Sequence, residues 1–178
     1  MIDTVHIFDN IIPKSYQDLI EASFLGEMNA HWMLLDDISY GSDRIVEKSN
    51  PGLVHPLKLD NQIKSPLFNL VLPMVLISLD RISWKYTDTI MARSFLQFPK
   101  AVSSPNNSHI DLELPHIVCL YYVNDCDGPT VIYEPNSTNV MTTINPQKGR
   151  VAIFDGKYYH SSSNPTSERR CIINFDIV

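Results

Sequence analysis

Cysteine is scarce in this chain, and its scarcity excludes several classes of protein. Cys119, Cys126 and Cys171 are the three cysteines, and no Cys-x-x-Cys pair occurs. An odd number of cysteines without a paired motif does not predict a disulfide framework or a cysteine-based metal site. Cys119 and Cys171 lie in apolar runs, where a thiol usually acts as a small buried hydrophobe. We therefore expect three reduced, structural cysteines, as in a cytoplasmic protein.

Positive charge and long apolar runs are also lacking. The 14 lysines and arginines face 20 acidic residues, which gives a formal net charge of −6. The densest basic cluster is Arg169-Arg170, so nucleic acid is a disfavoured partner. The most apolar segment, 66–79, is interrupted by Pro73 and is shorter than the roughly 20 residues of a membrane helix. The chain does not open on a basic region followed by an apolar stretch, so we expect neither a signal peptide nor a membrane anchor.

The composition is that of an ordinary folded domain. Apolar residues make up 44% and charged residues 19% of the 178 residues, enough for one domain with a core. After a short strand at 5–8, the first 85 residues are mostly helical in pattern. Pro13 suits the first position of a helix that Gly26 would end. Ser65 suits the cap of a second helix, which Pro73 would kink or split.

The pattern changes from about residue 82 onward. Short apolar or alternating runs are separated there by Pro, Asn, Asp and Gly, at 89–98, 109–123, 130–133, 139–144, 150–154 and 171–178. Such a series indicates a sandwich or a double-sheet barrel. We predict a single domain, 1–178, that is mainly β with N-terminal helices. Residues 1–85 form a helical support region in this prediction, and residues 86–178 form the β core.

Two histidines and an aspartate are candidate metal ligands. His109 and Asp111 stand two residues apart within the run 109–123, and on a strand such residues point from the same face. His160 follows the predicted strand 150–154 and the turn Asp155-Gly156. Two histidines and one carboxylate are the set that non-haem Fe(II) oxygenases use, with three coordination positions left free. Each residue alone has an ordinary structural reading, as a turn or a core histidine.

Arg170 opens the last apolar strand and needs an anionic partner there. It shares a face with Ile172 and Asn174, and a guanidinium in apolar surroundings is costly unless an anion pairs with it. The distal carboxylate of 2-oxoglutarate would suit its planar fork, and an ion pair with Asp or Glu is the equal alternative. Tyr122 could present its hydroxyl to the same carboxylate.

The ordered motifs resemble a known family. They are His109-Ile-Asp111, Leu120-Tyr-Tyr-Val-Asn-Asp125, Asp127-Gly-Pro-Thr-Val-Ile-Tyr133, Lys148-Gly-Arg-Val-Ala-Ile-Phe-Asp-Gly156, His160 and Arg169-Arg-Cys-Ile-Ile-Asn-Phe175. In order and spacing they are similar to the Fe(II)/2-oxoglutarate-dependent dioxygenase superfamily, and within it to the prolyl 4-hydroxylase-like branch, in particular small phage-encoded members. The similarity covers about half of the chain.

The resemblance implies a fold, a reaction and roles for residues. The fold would be a double-stranded β-helix, the cupin-like jelly roll. His109, Asp111 and His160 would bind Fe(II) and be the catalytic residues, and Arg170 and Tyr122 would bind 2-oxoglutarate. Dioxygen and 2-oxoglutarate would be consumed, with ascorbate as a candidate reductant, and a prolyl residue or related small or peptidyl substrate would be hydroxylated. The location would be cytoplasmic, or the host cytoplasm for a viral protein.

Departures and alternatives remain open at this stage. Collagen-type prolyl hydroxylases carry a lysine where this chain has Arg170, and the usual Gly-Gly is Asp127-Gly128 here. Arg169 is an alternative co-substrate anchor. The alternative functions are nucleic-acid demethylation by the same chemistry, a non-catalytic jelly-roll binding or structural protein, and a zinc hydrolase. Five further residues are conceivable pocket residues that we interpret as structural, namely Trp32, Trp84, Arg93, Gln97 and His116.

Overall fold

Eleven strands and two helices make up the described part of the chain in this computed structural model, which describes residues 2–26, 30–38 and 50–178. The strands are β1 (His6–Phe8), β2 (Met33–Leu35), β3 (Gly52–Leu59), β4 (Gln62–Ile63), β5 (Thr89–Gln97), β6 (Ile117–Tyr122), β7 (Thr130–Tyr133), β8 (Val140–Ile144), β9 (Val151–Asp155), β10 (His160–Ser162) and β11 (Arg170–Ile177). The helices are α1 (Lys14–Leu25) and α2 (Leu67–Arg81).

The strands form two antiparallel sheets. The major sheet has the order β1-β9-β6-β11-β5-β3-β2, with β4 paired to β3. The minor sheet has the order β10-β7-β8. Neighbours in space are mostly not neighbours in the chain, which is the crossed-over arrangement of a jelly roll.

The central strands of the major sheet are buried on both faces. Along β6, Cys119 and Tyr121 point to one apolar cluster, which also contains core residues of both helices. Leu120 and Tyr122 point to a second cluster, which includes Ile132 of the minor sheet. The helices therefore cover one face of the major sheet and the minor sheet covers the other. Burial on both faces explains why β6 is apolar at every position instead of alternating.

The helices lie close to the predicted positions, with small differences at their starts. Pro13 has an extended ψ of 148° and precedes α1 as its cap instead of occupying its first turn. The residue that caps α2 is Pro66 and not Ser65, although the Ser65 hydroxyl accepts a hydrogen bond from the backbone N–H of Leu67. Pro73 does not split α2, which continues from Leu67 to Arg81. Buried residues on both sides of Pro73 pack into one core, and this packing holds the helix together.

The prediction of a mainly β fold with N-terminal helices is confirmed, with two corrections. The N-terminal third is not mostly helical, because β1 to β4 lie there and β3 is an eight-residue strand of the major sheet. The predicted strand at 109–123 is too long, since β6 begins at Ile117. All three cysteines are free. Neither helix of the described residues has the length and apolar character needed to cross a membrane.

Candidate active site

His109 and His160 are brought together by a short antiparallel bridge. His109 lies in the loop before β6 and not on a strand, so the alternation argument for it was wrong. Each histidine donates its backbone N–H to the carbonyl of the other, at N···O distances of 3.0 and 2.9 Å. The centroids of the two rings are 4.7 Å apart. Backbone pairing between a loop and β10 thus sets the position of both side chains.

The ring nitrogens of both histidines are oriented alike. Nδ1 of His109 lies 3.3 Å from the carbonyl oxygen of Asn107, and Nδ1 of His160 lies 3.2 Å from that of Tyr158. A carbonyl accepts, so Nδ1 carries the proton in each ring and Nε2 keeps its lone pair. Both Nε2 atoms therefore have the form that binds a metal ion.

The carboxylate of Asp111 completes the group. Its Oδ1 lies 3.9 Å from Nε2 of His109, and its Oδ2 lies 3.4 Å from Nε2 of His160. One ligand atom from each of the three side chains lies within 4.8 Å of the others, which is the spacing of a metal site. Two imidazole nitrogens and one carboxylate suit a first-row transition metal such as Fe(II).

The charge states of the group also suit a divalent cation. Burial, followed by the proximity of His160, lowers the pKa of His109 to about 4, so this ring is neutral at pH 7. Burial alone would raise the pKa of Asp111, but its close contacts with His160, His109 and the guanidinium of Arg93 hold it well below its usual range. Neutral imidazole and ionised carboxylate are the forms that coordinate metals.

Arg170 is a buried cation without an acidic partner. It is 3% exposed. Its guanidinium donates to the carbonyl of Gly128, to Oε1 of Gln97 and to Oγ1 of Thr130 at 2.7 to 2.8 Å, and all three acceptors are uncharged. Within the described ranges, no carboxylate forms an ion pair with it. The structure therefore excludes, for these residues, the alternative that Arg170 pairs with an Asp or Glu.

Arg169 and Tyr122 occupy different positions relative to Arg170. Arg169 is exposed, donates to the carbonyl of Leu25 and is not among the residues that line the cavity described below. Tyr122 is fully buried beside Arg170, whose guanidinium carbon lies 5.8 Å from the centre of the ring. The hydroxyl of Tyr122 donates to Thr130 at 2.8 Å. Tyr122 and Arg170 thus both donate hydrogen bonds to the hydroxyl oxygen of Thr130.

One cavity extends from the His-Asp-His group to Arg170. His109, Asp111, His160 and Arg170 all line it. One wall consists of three directly opposed pairs from β5 and β11, namely Gln97 with Arg170, Phe95 with Ile172, and Arg93 with Asn174. We call this the three-pair wall. Its middle pair is apolar, and the end pairs are four residues apart along β11, about 13 Å at ~3.3 Å per residue.

Sequence reasoning placed some pocket residues correctly and misread others. Arg93 and Gln97 line the cavity and contact site residues, although they had been interpreted as structural. Trp32 packs against Phe24 and His55 in the core, as expected. Trp84 and His116 line a second cavity, of about 420 Å³. The alternation of side chains along β11 was enough to predict that Asn174 faces the same side as Arg170. The position of Arg93 depends on how β5 pairs with β11, which the sequence does not show.

No protein-family model matches the sequence, and no curated protein matches it. Solved structures do match. An oxidoreductase of the 2OG-Fe(II) oxygenase family from Burkholderia pseudomallei has a TM-score of 0.70 at 10% identity, covering 97% of this chain and 84% of the other. A Trichoplax adhaerens prolyl hydroxylase, in complex with a hypoxia inducible factor peptide fragment, gives 0.65 at 16%, covering 97% and 83%.

A viral protein belongs to the same set of structural neighbours. The collagen prolyl hydroxylase of Paramecium Bursaria Chlorella virus-1, in complex with 2OG, has a TM-score of 0.59 at 11% identity, covering 97% of this chain and 94% of the viral one. The chain therefore has the jelly-roll fold of the 2OG-Fe(II) oxygenases, including the prolyl hydroxylases. At these identities the likeness defines the fold, and the chemistry has to be argued from the site.

Proposed function

We propose that this protein is a non-haem Fe(II)- and 2-oxoglutarate-dependent dioxygenase that hydroxylates a prolyl residue or a related small or peptidyl substrate. The observation that carries the proposal is the pairing, in one cavity, of a His-Asp-His group with a buried arginine that has no carboxylate partner within the described residues. The metal, when bound, supplies the site at which dioxygen is activated. The fold is that of enzymes with this chemistry.

The metal is proposed to bind through His109, Asp111 and His160. Three protein ligands leave open positions, whereas a structural zinc site is normally closed by four. Asp111 is nearly buried, with 5% of its side chain exposed, and the neighbouring histidines keep Nε2 available. These three residues would be the catalytic group, because they would hold the metal at which the substrate reacts.

The co-substrate is proposed to lie along the three-pair wall. Its distal carboxylate would accept hydrogen bonds from Arg170, which uses three uncharged acceptors and keeps further N–H groups for an anion. The apolar pair of Phe95 and Ile172 would contact its methylene groups. Its other end would then reach the metal group. Tyr122 would act on this end by orienting Thr130.

The substrate class is inferred from the structural neighbours. One of them is a prolyl hydroxylase in complex with a peptide fragment, and another is a viral collagen prolyl hydroxylase. Proline-containing peptides and free proline are therefore the first substrates to screen. A non-catalytic jelly-roll protein would not need Arg170 buried in the same cavity as a metal group, and a zinc hydrolase would not need a co-substrate anchor.

The first test is succinate formation without added substrate. Protein supplied with Fe(II), ascorbate and 2-oxoglutarate is expected to release succinate slowly, and Arg170→Ala is expected to lose this activity. Arg169→Ala is the matched control, since it removes the neighbouring guanidinium that contacts Leu25 instead of the cavity. Normal activity in Arg170→Ala would contradict the assignment of Arg170.

A binding measurement covers the case in which turnover requires substrate. Anaerobic addition of Fe(II) and 2-oxoglutarate is expected to produce a metal-to-co-substrate charge-transfer band in the visible spectrum. The band should be present in Arg169→Ala and absent in Asp111→Ala. If wild-type protein shows neither succinate nor the band, the oxygenase proposal is wrong and a binding or structural role replaces it.

A further inference from the structure

Asp111 is held by two residues that would not themselves bind the metal. Arg93 donates from Nη2 to Oδ1 of Asp111, and Asn174 donates from Nδ2 to Oδ2, both at 3.1 Å. Arg93 and Asn174 are directly opposed on β5 and β11. Together they form the third pair of the three-pair wall. Each oxygen of Asp111 therefore has its own donor from a different strand.

The buried Asp176 is a second carboxyl beside this pair. Burial and the charge of Asp111 raise its pKa, and the charge of Arg93 and hydrogen bonding to Asn174 oppose that rise. Nε of Arg93 and Oδ1 of Asn174 are buried and lack a hydrogen-bond partner among the described residues. Asn174 is 5% exposed. Buried polar groups are normally paired, and the adjacent pair, Phe95 with Ile172, shows that apolar side chains fit this wall. Hydrogen bonding to Asp111 is thus a role that Arg93 and Asn174 share at this position.

Two donors on opposite oxygens restrict rotation of a carboxylate. A carboxylate with one donor can turn about its Cβ–Cγ bond, whereas one held at both oxygens keeps its plane fixed. In this protein the fixed plane keeps Oδ1 towards Nε2 of His109 and Oδ2 towards Nε2 of His160. The three ligands are then arranged before the metal arrives, and binding does not have to pay for ordering Asp111.

We propose that Arg93 and Asn174 are positioning residues that hold Asp111 in its metal-binding orientation, so that metal affinity depends on this pair. The inference rests on the proposed function, because it requires that His109, Asp111 and His160 bind a divalent metal. It predicts an effect on metal binding in the absence of any substrate or co-substrate. A role limited to packing β5 against β11 would change stability and leave metal affinity intact.

Co(II) is a suitable probe, because its visible spectrum reports the ligand geometry. Calorimetric and absorption titrations would compare wild type with Asn174→Leu, Arg93→Met and Arg93→Lys. Asn174→Leu and Arg93→Met are expected to bind Co(II) about 10- to 100-fold more weakly and with altered visible bands. Arg93→Lys, which keeps a charged donor, is expected to recover part of the affinity. Arg169→Met is the matched control and should bind like wild type.

The outcomes separate this inference from the proposed function. Wild-type protein that binds no Co(II) would contradict the metal site itself. Wild type that binds Co(II), with Asn174→Leu and Arg93→Met binding equally well and with unchanged bands, would overturn the positioning role alone. Thermal unfolding of the metal-free variants checks that each is folded. Should Asn174→Leu fail to fold, Asn174→Ala removes the same donor without adding bulk and replaces it in the comparison.

Discussion

Arg170 illustrates how far a single residue can be interpreted from sequence. An arginine at the start of an apolar strand implied an anionic partner, because a guanidinium is costly to bury unpaired. The sequence could not decide between an internal carboxylate and a ligand, since the partner would come from a distant part of the chain. The structure answers this for the described residues, where the three acceptors are uncharged. Burial lowers the pKa of Arg170, which increases its preference for an anion.

Arg93 shows the opposite case, a site residue that sequence alone could not assign. Its contact with Asp111 depends on β5 lying beside β11 in one register, with Arg93 opposite Asn174. A shift of that register by one residue would turn Arg93 to the other face of the sheet. The register is set by the burial of all neighbouring strands together, and no local motif records it.

Asp88 gives a prediction about pH at the residue scale. Its carboxylate accepts a hydrogen bond from Nζ of the buried Lys58 at 2.6 Å, and this contact holds the pKa of Asp88 below its usual range. A carboxyl with a lowered folded-state pKa stabilises the protein above its unfolded pKa, and that stability is lost as pH falls through the folded value. Wild type should therefore be more stable than Asp88→Asn at pH 6 to 7.

The measurement is urea denaturation of both proteins across the acid range. The difference in free energy of unfolding is expected to be constant near neutrality and to shrink below about pH 4, as Asp88 becomes protonated. Asp80→Asn is the control, because Asp80 is an exposed carboxylate at the end of α2. A difference that grows as the pH falls would contradict the ion pair as its source.

At the scale of elements, proline explains where the strand predictions failed. Pro115 precedes β6 and cannot donate a ladder hydrogen bond, so the run that contains His109 does not continue as one strand. Pro56 lies inside β3, and the pairing of β3 with β5 shifts register next to it. Proline is tolerated at such irregular positions. The existence of the core strands and their order along the chain could be predicted from the sequence. The start of β6 and the register shift in β3 could not, because they depend on tertiary packing.

Pro73 provides a prediction at the same scale. It lies inside α2 and is exposed, while Val71, Met74 and Val75 are buried in the core. Proline in a helix interior removes one backbone hydrogen bond and crowds the preceding turn. Pro73→Ala is therefore expected to stabilise the protein by about 1–3 kcal/mol in urea denaturation. Leu76→Ala, a change at another exposed position of α2, is the control, and equal effects of the two would contradict a backbone origin.

At the scale of the whole molecule, the candidate site joins parts that are distant in the chain. His109 comes from the loop before β6, His160 from the minor sheet, and Arg170 from the major sheet. Their order and spacing already suggested a common site, because they matched the pattern of a family whose fold brings such positions together. Composition and periodicity alone would have predicted a β protein with two sheets, but they would not have predicted a functional site. The second apolar cluster forms part of the cavity lining, through Val118, Leu120, Phe154 and Ile172.

A metal bound across this cavity should stabilise the entire fold. It would link the minor sheet, through His160, to the loop of His109 and Asp111, which contacts the major sheet through Arg93 and Asn174. A ligand that binds the folded state alone adds about 2.7 kcal/mol at a hundredfold excess over its Kd. For a chain of this size that corresponds to a rise in Tm of about 5–10 °C.

Differential scanning calorimetry with Co(II) should show the rise in wild type and in Arg169→Met but not in Asp111→Ala. An equal rise in Asp111→Ala would mean that the ion stabilises the protein from another position.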